Sequence, residues 1–353
     1  MSTSKDNNDW LARIRLPVLL ILPTFVILII FSYNGVSVNR IRSMDEHDEM
    51  MTRASFCASE GNQSSHDARY LFSEWNEEAF LSLRKKVEKY FKLSKSIIIY
   101  DPEVKFVNMS FTLRPSKLDR THGITPQCTC AVIGSSGLLL NSSCGKEIDS
   151  HDFVLRTNLP FIRGFENDVG EKQNITTVNA MGAEILANEL LVYMNRTFNG
   201  EQRPTNETED EKKGRLALQR LKDLKRAILW QPKMGTREFK VVINASQEMG
   251  LKFQVAYTTT STVRASSRVW RTSAPSTGLI LFTAAVTFCD KISLYGFYPF
   301  HTDRYNNTIK YHYYEDVEFN FDTNVHKMPN EFLKLTELHK KGAIRHVTDR
   351  CEH

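Results

Sequence analysis

The chain has 353 residues, 41% of them hydrophobic and 25% charged, with a formal net charge of +5. That length buries a core easily, in one large domain or two smaller ones, and excludes a minimal scaffold held together by disulfides or metal alone. A charge this modest makes no case for a nucleic-acid binder.

Taken in chain order, Leu16–Tyr33 gives 18 apolar or near-apolar positions without a charge, interrupted by Pro17 and Pro23. It is just long enough to span a bilayer. No small-residue cleavage site follows, so the spacing predicts a retained signal anchor, not a cleaved leader. Lys5, Arg13 and Arg15 precede it and Arg40 and Arg42 follow, a weak positive-inside bias. Asn62, Asn108, Asn141, Asn174, Asn195, Asn206, Asn244 and Asn306 each head an N-x-S/T triplet, and all lie C-terminal to the span. They place the larger part of the chain in the secretory lumen, where nucleic acid is no partner. Asn141 is expected to be the least accessible of them.

Residues 1–15 then form a cytoplasmic tail, 16–33 the anchor, 34–76 a polar stem and 77–353 a luminal domain. Phe80, Leu83, Val87 and Phe91 recur at helical spacing and predict a helix that opens this domain. Strand-like runs at Ile97–Tyr100, Val241–Ile243 and Ile292–Tyr295 suggest an alternating α/β pattern. The acidic stretch Asn199–Gly214 reads as a surface loop, and Leu216–Trp230 as an amphipathic helix. Between Met249 and Cys289 there is no acidic residue, while Lys252, Arg264, Arg268 and Arg271 are present. The last three would share a face if helical, either as a solvated face or as a groove for an anionic glycan.

Six cysteines suit an oxidising compartment, and no C-x-x-C pair supports a metal site. Sequence alone leaves 15 pairings open if all six are bridged. Ala131–Ile133 runs into Gly134-Ser135-Ser136-Gly137, a strand and tight turn of the kind that meets a nucleotide, without the third glycine of a dinucleotide fingerprint. Pro329 opens, and Gly342 closes, a helical pattern carrying Phe332, Leu333 and Leu338. His326 stands just ahead of its positive end, where the dipole disfavours the imidazolium.

Four stretches together resemble the sialyltransferase family. CAVIGSSGLLLNSSCGKEIDSHDFVLRTN (Cys130–Asn158) is similar to its large motif and PSTGLILFTAAVTFCDKISLYGFYPF (Pro275–Phe300) to its small motif. YHYYE (Tyr311–Glu315) is similar to motif III and HKMPNE (His326–Glu331) to the very small motif. HYYE followed by HKMPNEF is closest to the α2,8 branch. The resemblance runs from about Thr125 to the C-terminus, with a divergent middle.

It implies an α/β nucleotide-sugar glycosyltransferase fold, a GT-A-like variant with a mixed sheet and flanking helices, behind the anchor and stem. It implies inverting transfer from CMP-sialic acid to a sialylated glycoprotein or glycolipid, giving an α2,8 linkage, in the Golgi lumen as a single-pass type II protein. No cofactor is expected: a departing phosphate monoester needs charge stabilisation more than protonation, and no convincing D-x-D pair in the motif region offers to hold a metal. By resemblance His326 is the general base and His312 stabilises the leaving phosphate. Ser135, Asn158, Ser276, Thr277, Gly278 and Tyr311 contact the donor, and Tyr298, Pro299 and Phe300 flank the cytidine. Glu331 would offset the helix field or cap free amides, and Tyr313 and Tyr314 would pack. Cys130 would bond Cys289 and Cys144 would bond Cys351. Cys57 and Cys128 then pair with each other or across two chains of a homodimer.

The chain departs from the family where Ser135 replaces Asn, Thr157 replaces Cys and Tyr298 replaces Trp, and where Asn179-Ala180-Met181 replaces Asn-Pro-Ser. These departures put donor affinity in question. The alternatives are another linkage or acceptor, or a weakly active glycan-binding homologue; a plain Rossmann oxidoreductase is disfavoured.

Overall fold

The computed structural model describes Phe72 and residues 74–99, 124–198, 208–232, 237–258, 260–315 and 326–351. The tail, the anchor segment and nearly all of the stem lie outside these residues. Among the described residues no helix is long and apolar enough to cross a membrane.

The elements follow from local signals. Helix α1 (Glu77–Glu88) starts where the Asn76 side chain accepts from the Ala79 amide. Its acids sit in the first turn and its lysines in the last, matching the helix dipole. Strands β1 (Ile98–Ile99), β2 (Gln127–Ile133), β3 (Phe153–Arg156) and β4 (Ile175–Thr177) follow, then helix α2 (Ala180–Phe198). Helix α3 (Glu209–Asp223) opens with a capping box, Thr208 and Glu211 satisfying each other's free amides. Next come β5 (Ile228–Trp230), α4 (Arg237–Glu248), β6 (Gln254–Tyr257) and α5 (Thr262–Trp270), which stops at Arg271 in the left-handed region, φ 51°. Helix α6 (Thr277–Ala285), strand β7 (Cys289–Tyr295), helix α7 (Met328–Lys340) and strand β8 (Arg345–Val347) complete the chain.

The strands form one sheet in the order β1-β6-β5-β4-β3-β2-β7-β8. Among the described strands only β1 runs antiparallel to its neighbour, so the sheet is mixed at one edge and parallel elsewhere. Parallel neighbours need crossovers, which put helices on both faces, and the central strands are buried accordingly. Val132, Leu155, Ile292 and Leu294 face a core shared with α1, α5, α6 and α7. Ala131, Ile133 and Val154 face Leu139 and Ile148 on the other side, and Leu229 and Val255 face α2, α3 and α4. Helix α6 is buried along its length from Leu279 to Ala285, which explains why its sequence shows no polar face.

The sheet winds outward from β2 toward β3 on one side and from β7 toward β8 on the other. The crevice at the carboxyl ends of β2 and β7 is therefore the switch point where ligands of open α/β sheets bind.

Two disulfides brace this centre. Cys130–Cys289 links β2 to β7, and Cys144–Cys351 ties the segment after β8 to the turn beyond the glycine loop. Cys128 is disulfide-bonded as well; Cys57 lies outside the described residues.

Several expectations are corrected. Val241–Ile243 is not a strand but lies inside α4, with Val242 and Ile243 packed in the core; the strand is β6. A three-residue apolar run cannot distinguish the two. The Asn199–Gly214 loop ends earlier than its acidic composition suggested, because the capping box starts α3 at Glu209. The helix expected over Leu216–Trp230 stops at Asp223; Lys225 turns left-handed (φ 53°) and Ile228–Trp230 joins the sheet. Asn141 is not hidden inside its motif. It is exposed at a left-handed turn, φ 59°, with its amide nitrogen donating to Asp168 Oδ2.

Candidate active site

The crevice is built first by glycine. Gly134 donates to the Tyr295 carbonyl at 2.7 Å, and Ser136 to the Gly296 carbonyl at 3.2 Å. A Cβ on Gly134 would collide with the Gly296 carbonyl oxygen, so the tips of β2 and β7 close only because residue 134 has no side chain. Ser136 caps the short turn Gly137–Leu139 by accepting from Leu138. The loop thus holds the Ser135 side chain in the cleft. Its carbonyl accepts from Tyr313 at 3.0 Å and its hydroxyl lies 3.1 Å from the Thr157 hydroxyl.

Thr157 donates to the Ile133 carbonyl and Ser135 also hydrogen-bonds with Tyr314, so the Ser135 proton is taken up by one of these two neighbours. Ser135 then offers a ligand only lone pairs. An asparagine there has two N–H donors and could serve both Thr157 and a ligand. If residue 135 contacts the CMP-sialic acid donor that the family resemblance implies, Ser135→Asn is expected to tighten the donor KM and the CMP Ki roughly two- to tenfold, the worth of one hydrogen bond. Unchanged constants would make residue 135 a turn former only.

At the end of β3, Asn158 is left-handed (φ 58°) and its amide nitrogen donates to Thr177 Oγ1 at 3.0 Å. Among the described residues its buried side-chain Oδ1 has no hydrogen-bond partner, although the residue lines the cleft. Such an orphan costs about 1–3 kcal/mol unless a ligand donor reaches it.

Helix α6 begins at the opposite wall. Ser276 caps it, its hydroxyl accepting from Leu279 at 3.1 Å while donating to Glu331 Oε2 at 2.6 Å. Glu331 Oε1 also accepts from the Ser276 amide at 2.8 Å. The Ser276 hydroxyl proton is therefore directed to Glu331. Thr277 and Gly278 of α6 remain on the cleft. Glu331 is 5% exposed, and burial pushes its carboxyl above the usual range, opposed by the two Ser276 hydrogen bonds and by His326. It caps an amide as expected, but that of α6 instead of its own helix.

His326 precedes α7, which has Pro near its first position and no side-chain cap. Its Nδ1 is 3.0 Å from the Ala274 carbonyl. A carbonyl only accepts, so Nδ1 carries the proton and Nε2 of the neutral ring keeps its lone pair. His312 differs: its Nδ1 lies 2.8 Å from Glu315 Oε2. Its ring lies between those of Tyr311 (4.4 Å) and Tyr314 (5.2 Å).

The cleft brings together Ser135, Asn158, Ser276, Thr277, Gly278, Tyr298, Pro299, Tyr311, His312 and His326. Phe300 is not among its lining residues. It packs edge-on against Tyr298 and Phe332, each at 5.0 Å, and supports the wall from behind. Thr157 and Tyr298, two of the departures, line the same cleft, as does Asn179, which keeps the family's residue. Phe332, marked in the sequence only as part of a helical face, also lines it, and so does Leu335, which no sequence signal singled out. Arg264 and Arg268 are exposed on α5, whereas Arg271 has left the helix as its cap. Among the described residues no group of three or more His, Cys, Asp or Glu could hold a metal ion.

Residues 77–343 match the family model described as glycosyltransferase family 29 (sialyltransferase). The alpha-N-acetylneuraminide alpha-2,8-sialyltransferase of Bos taurus is 31% identical over 271 residues, covering 72% of this chain and 68% of that protein. The protein of the same name from Xenopus laevis is 30% identical over 237 residues, covering 64% and 60%. A solved mammalian sialyltransferase in complex with Gal-beta-1-3GalNAc-ortho-nitrophenol is 25% identical, with a TM-score of 0.38, over 64% of this chain and 70% of that one.

Proposed function

Since the chain belongs to glycosyltransferase family 29, the sialyltransferases, we propose that it transfers sialic acid from CMP-sialic acid onto a sialic-acid-terminated glycan, forming an α2,8 linkage with inversion. The observation that carries this reading is the pair of histidines on one cleft, one with Nδ1 hydrogen-bonded to a backbone carbonyl and one to a carboxylate. The relatives' names supply the linkage and the acceptor class.

In this reading the acceptor hydroxyl attacks the anomeric carbon while its proton passes to His326 Nε2. The bond from that carbon to the phosphate oxygen breaks, its electrons leave with CMP, and positive charge builds on the sugar in an oxocarbenium-like transition state. His312 faces the charge gathering on the phosphate. Asn158 Oδ1 receives a donor from the nucleotide sugar, which relieves its burial cost. Tyr298, Pro299 and Tyr311 flank the nucleotide.

Residues 16–33 anchor the chain as a single-pass type II protein of the Golgi membrane, with 77–353 in the lumen. The uncharged apolar run and the sequons beyond it support this topology.

Full-length protein incubated with labelled CMP-sialic acid and a panel of sialylated glycolipids and glycoproteins is expected to label at least one of them in α2,8 linkage. Transfer only to galactose-terminated acceptors would overturn the linkage, and no transfer at all would overturn the activity. Activity is expected to survive EDTA, because a low-basicity leaving group and two histidines leave a divalent ion no step to assist. Loss on chelation, restored by Mn²⁺ or Mg²⁺, would refute the metal-free mechanism.

A further inference from the structure

The two cleft histidines differ in what holds their Nδ1 atoms, and that difference has a chemical consequence. Both Nδ1 atoms face groups that only accept, the Ala274 carbonyl at 3.0 Å and the Glu315 carboxylate at 2.8 Å. Both therefore carry a proton on Nδ1. In a neutral ring Nε2 is then a lone pair, which suits a base but repels a phosphate oxygen. A ring in this setting can donate from Nε2 only as the doubly protonated imidazolium.

We propose, on the basis of the sialyl-transfer reading above, that Glu315 is a positioning residue that holds His312 as the imidazolium and so makes it the phosphate-binding partner, while the neutral carbonyl on His326 leaves that ring a base. A carboxylate beside an imidazole favours the charged form, and a backbone carbonyl does so far less.

Three further features agree. His312 lies between the rings of Tyr311 and Tyr314, whose faces attract a cation. The column continues outward through Phe161, 5.7 Å from Tyr314, to the Arg220 guanidinium, 4.8 Å from the Phe161 ring. Arg220 pairs with Glu189 at 3.3 Å and also acts on Glu315. The His312 hydrogen bond first, then the charges of His312 and Arg220, hold the Glu315 carboxyl below the usual range against the cost of its burial. Burial pushes Tyr311 and Tyr314 up, Tyr314 to about 12, so both stay neutral phenols. Among the described residues, the titratable and charged groups around the ring are thus Glu315, Arg220 with its partner Glu189, the two tyrosines, and His326 with Glu331 elsewhere on the cleft.

Glu315→Gln tests this, since the amide keeps the size and an accepting oxygen but loses the charge. With full-length protein, inhibition by CMP and by cytidine is measured across pH. The variant is expected to lose about tenfold or more in CMP affinity near neutral pH, the low end of what an adjacent opposite charge supplies. Cytidine, which has no phosphate, should change less than about twofold. CMP inhibition by the variant should fade at lower pH than in the wild type, and Glu315→Asp should restore part of it. An unchanged CMP-to-cytidine ratio with an unmoved pH course would overturn the proposal. So would an equal loss of both ligands, which would make Glu315 a purely structural residue. If the wild type is not inhibited by CMP, the sialyl-transfer reading itself fails, an outcome distinct from either of these.

Discussion

Replacing His326 with alanine is expected to abolish transfer while leaving CMP binding nearly intact. The ring sits on the cleft with Nδ1 committed to the Ala274 carbonyl, so Nε2 is the one lone pair it can offer an acceptor hydroxyl. A sugar hydroxyl is a poor nucleophile, and losing its base should cost roughly 10²–10⁴-fold in kcat. In the proposed reading the substitution spares the nucleotide, because the residues assigned to it, Ser135, Asn158, Thr277 and Tyr298, stand on other segments. It also spares the α6 anchor, since the Ser276 contacts are made by Glu331. Steady-state kinetics with the CMP Ki on the same preparation settles the matter. Transfer within about tenfold of wild type would sink the assignment, and a parallel collapse of CMP affinity would mean that the ring shapes the pocket instead.

The second large effect concerns the disulfides. Cys130–Cys289 closes 159 residues and Cys144–Cys351 closes 207. In the chain-entropy model each contributes about 4–5 kcal/mol by restricting the unfolded chain. Cys130 and Cys289 are fully buried in the main core. The Cys130→Ala/Cys289→Ala variant therefore loses both the cross-link and some packing where β2 meets β7 beneath the cleft. Its Tm is expected to fall by roughly 10–20 °C, from the usual conversion of stability into melting temperature for large domains. A drop under about 3 °C would show that the sheet registers without the bridge. Non-reducing peptide mapping of the wild type should recover both pairs, and either pair found free or differently partnered would contradict the structure.

Some of this molecule was legible in the chain alone. The four motif segments, the Gly134–Gly137 turn, the helix opening at Asn76 and the helix beyond His326 are written within a few residues of one another. Caps, glycines and apolar periodicity act over that range. The same local signals mark His326 and the glycine turn, whereas His312 and most of the cleft wall were indicated by the family resemblance.

What escaped were choices that depend on partners distant in sequence. Val241–Ile243 has strand composition, yet becomes helix because α4 packs against α2 and α3 in the second core. Ser276 looks like a donor until Glu331, 55 residues later, takes its proton. Phe300 stands beside cleft residues in sequence but turns its ring to Tyr298 and Phe332. The column from Arg220 through Phe161 and Tyr314 to His312 joins three segments that no local rule connects. The sequence by itself determined which groups could do the chemistry, because residue type sets what an atom can donate or accept. Only the tertiary structure decided what each group faces, because the parallel crossovers and the switch point between β2 and β7 bring those segments to one crevice. For two histidines of the same chemistry, the fold alone decides that one faces a carbonyl and the other a carboxylate.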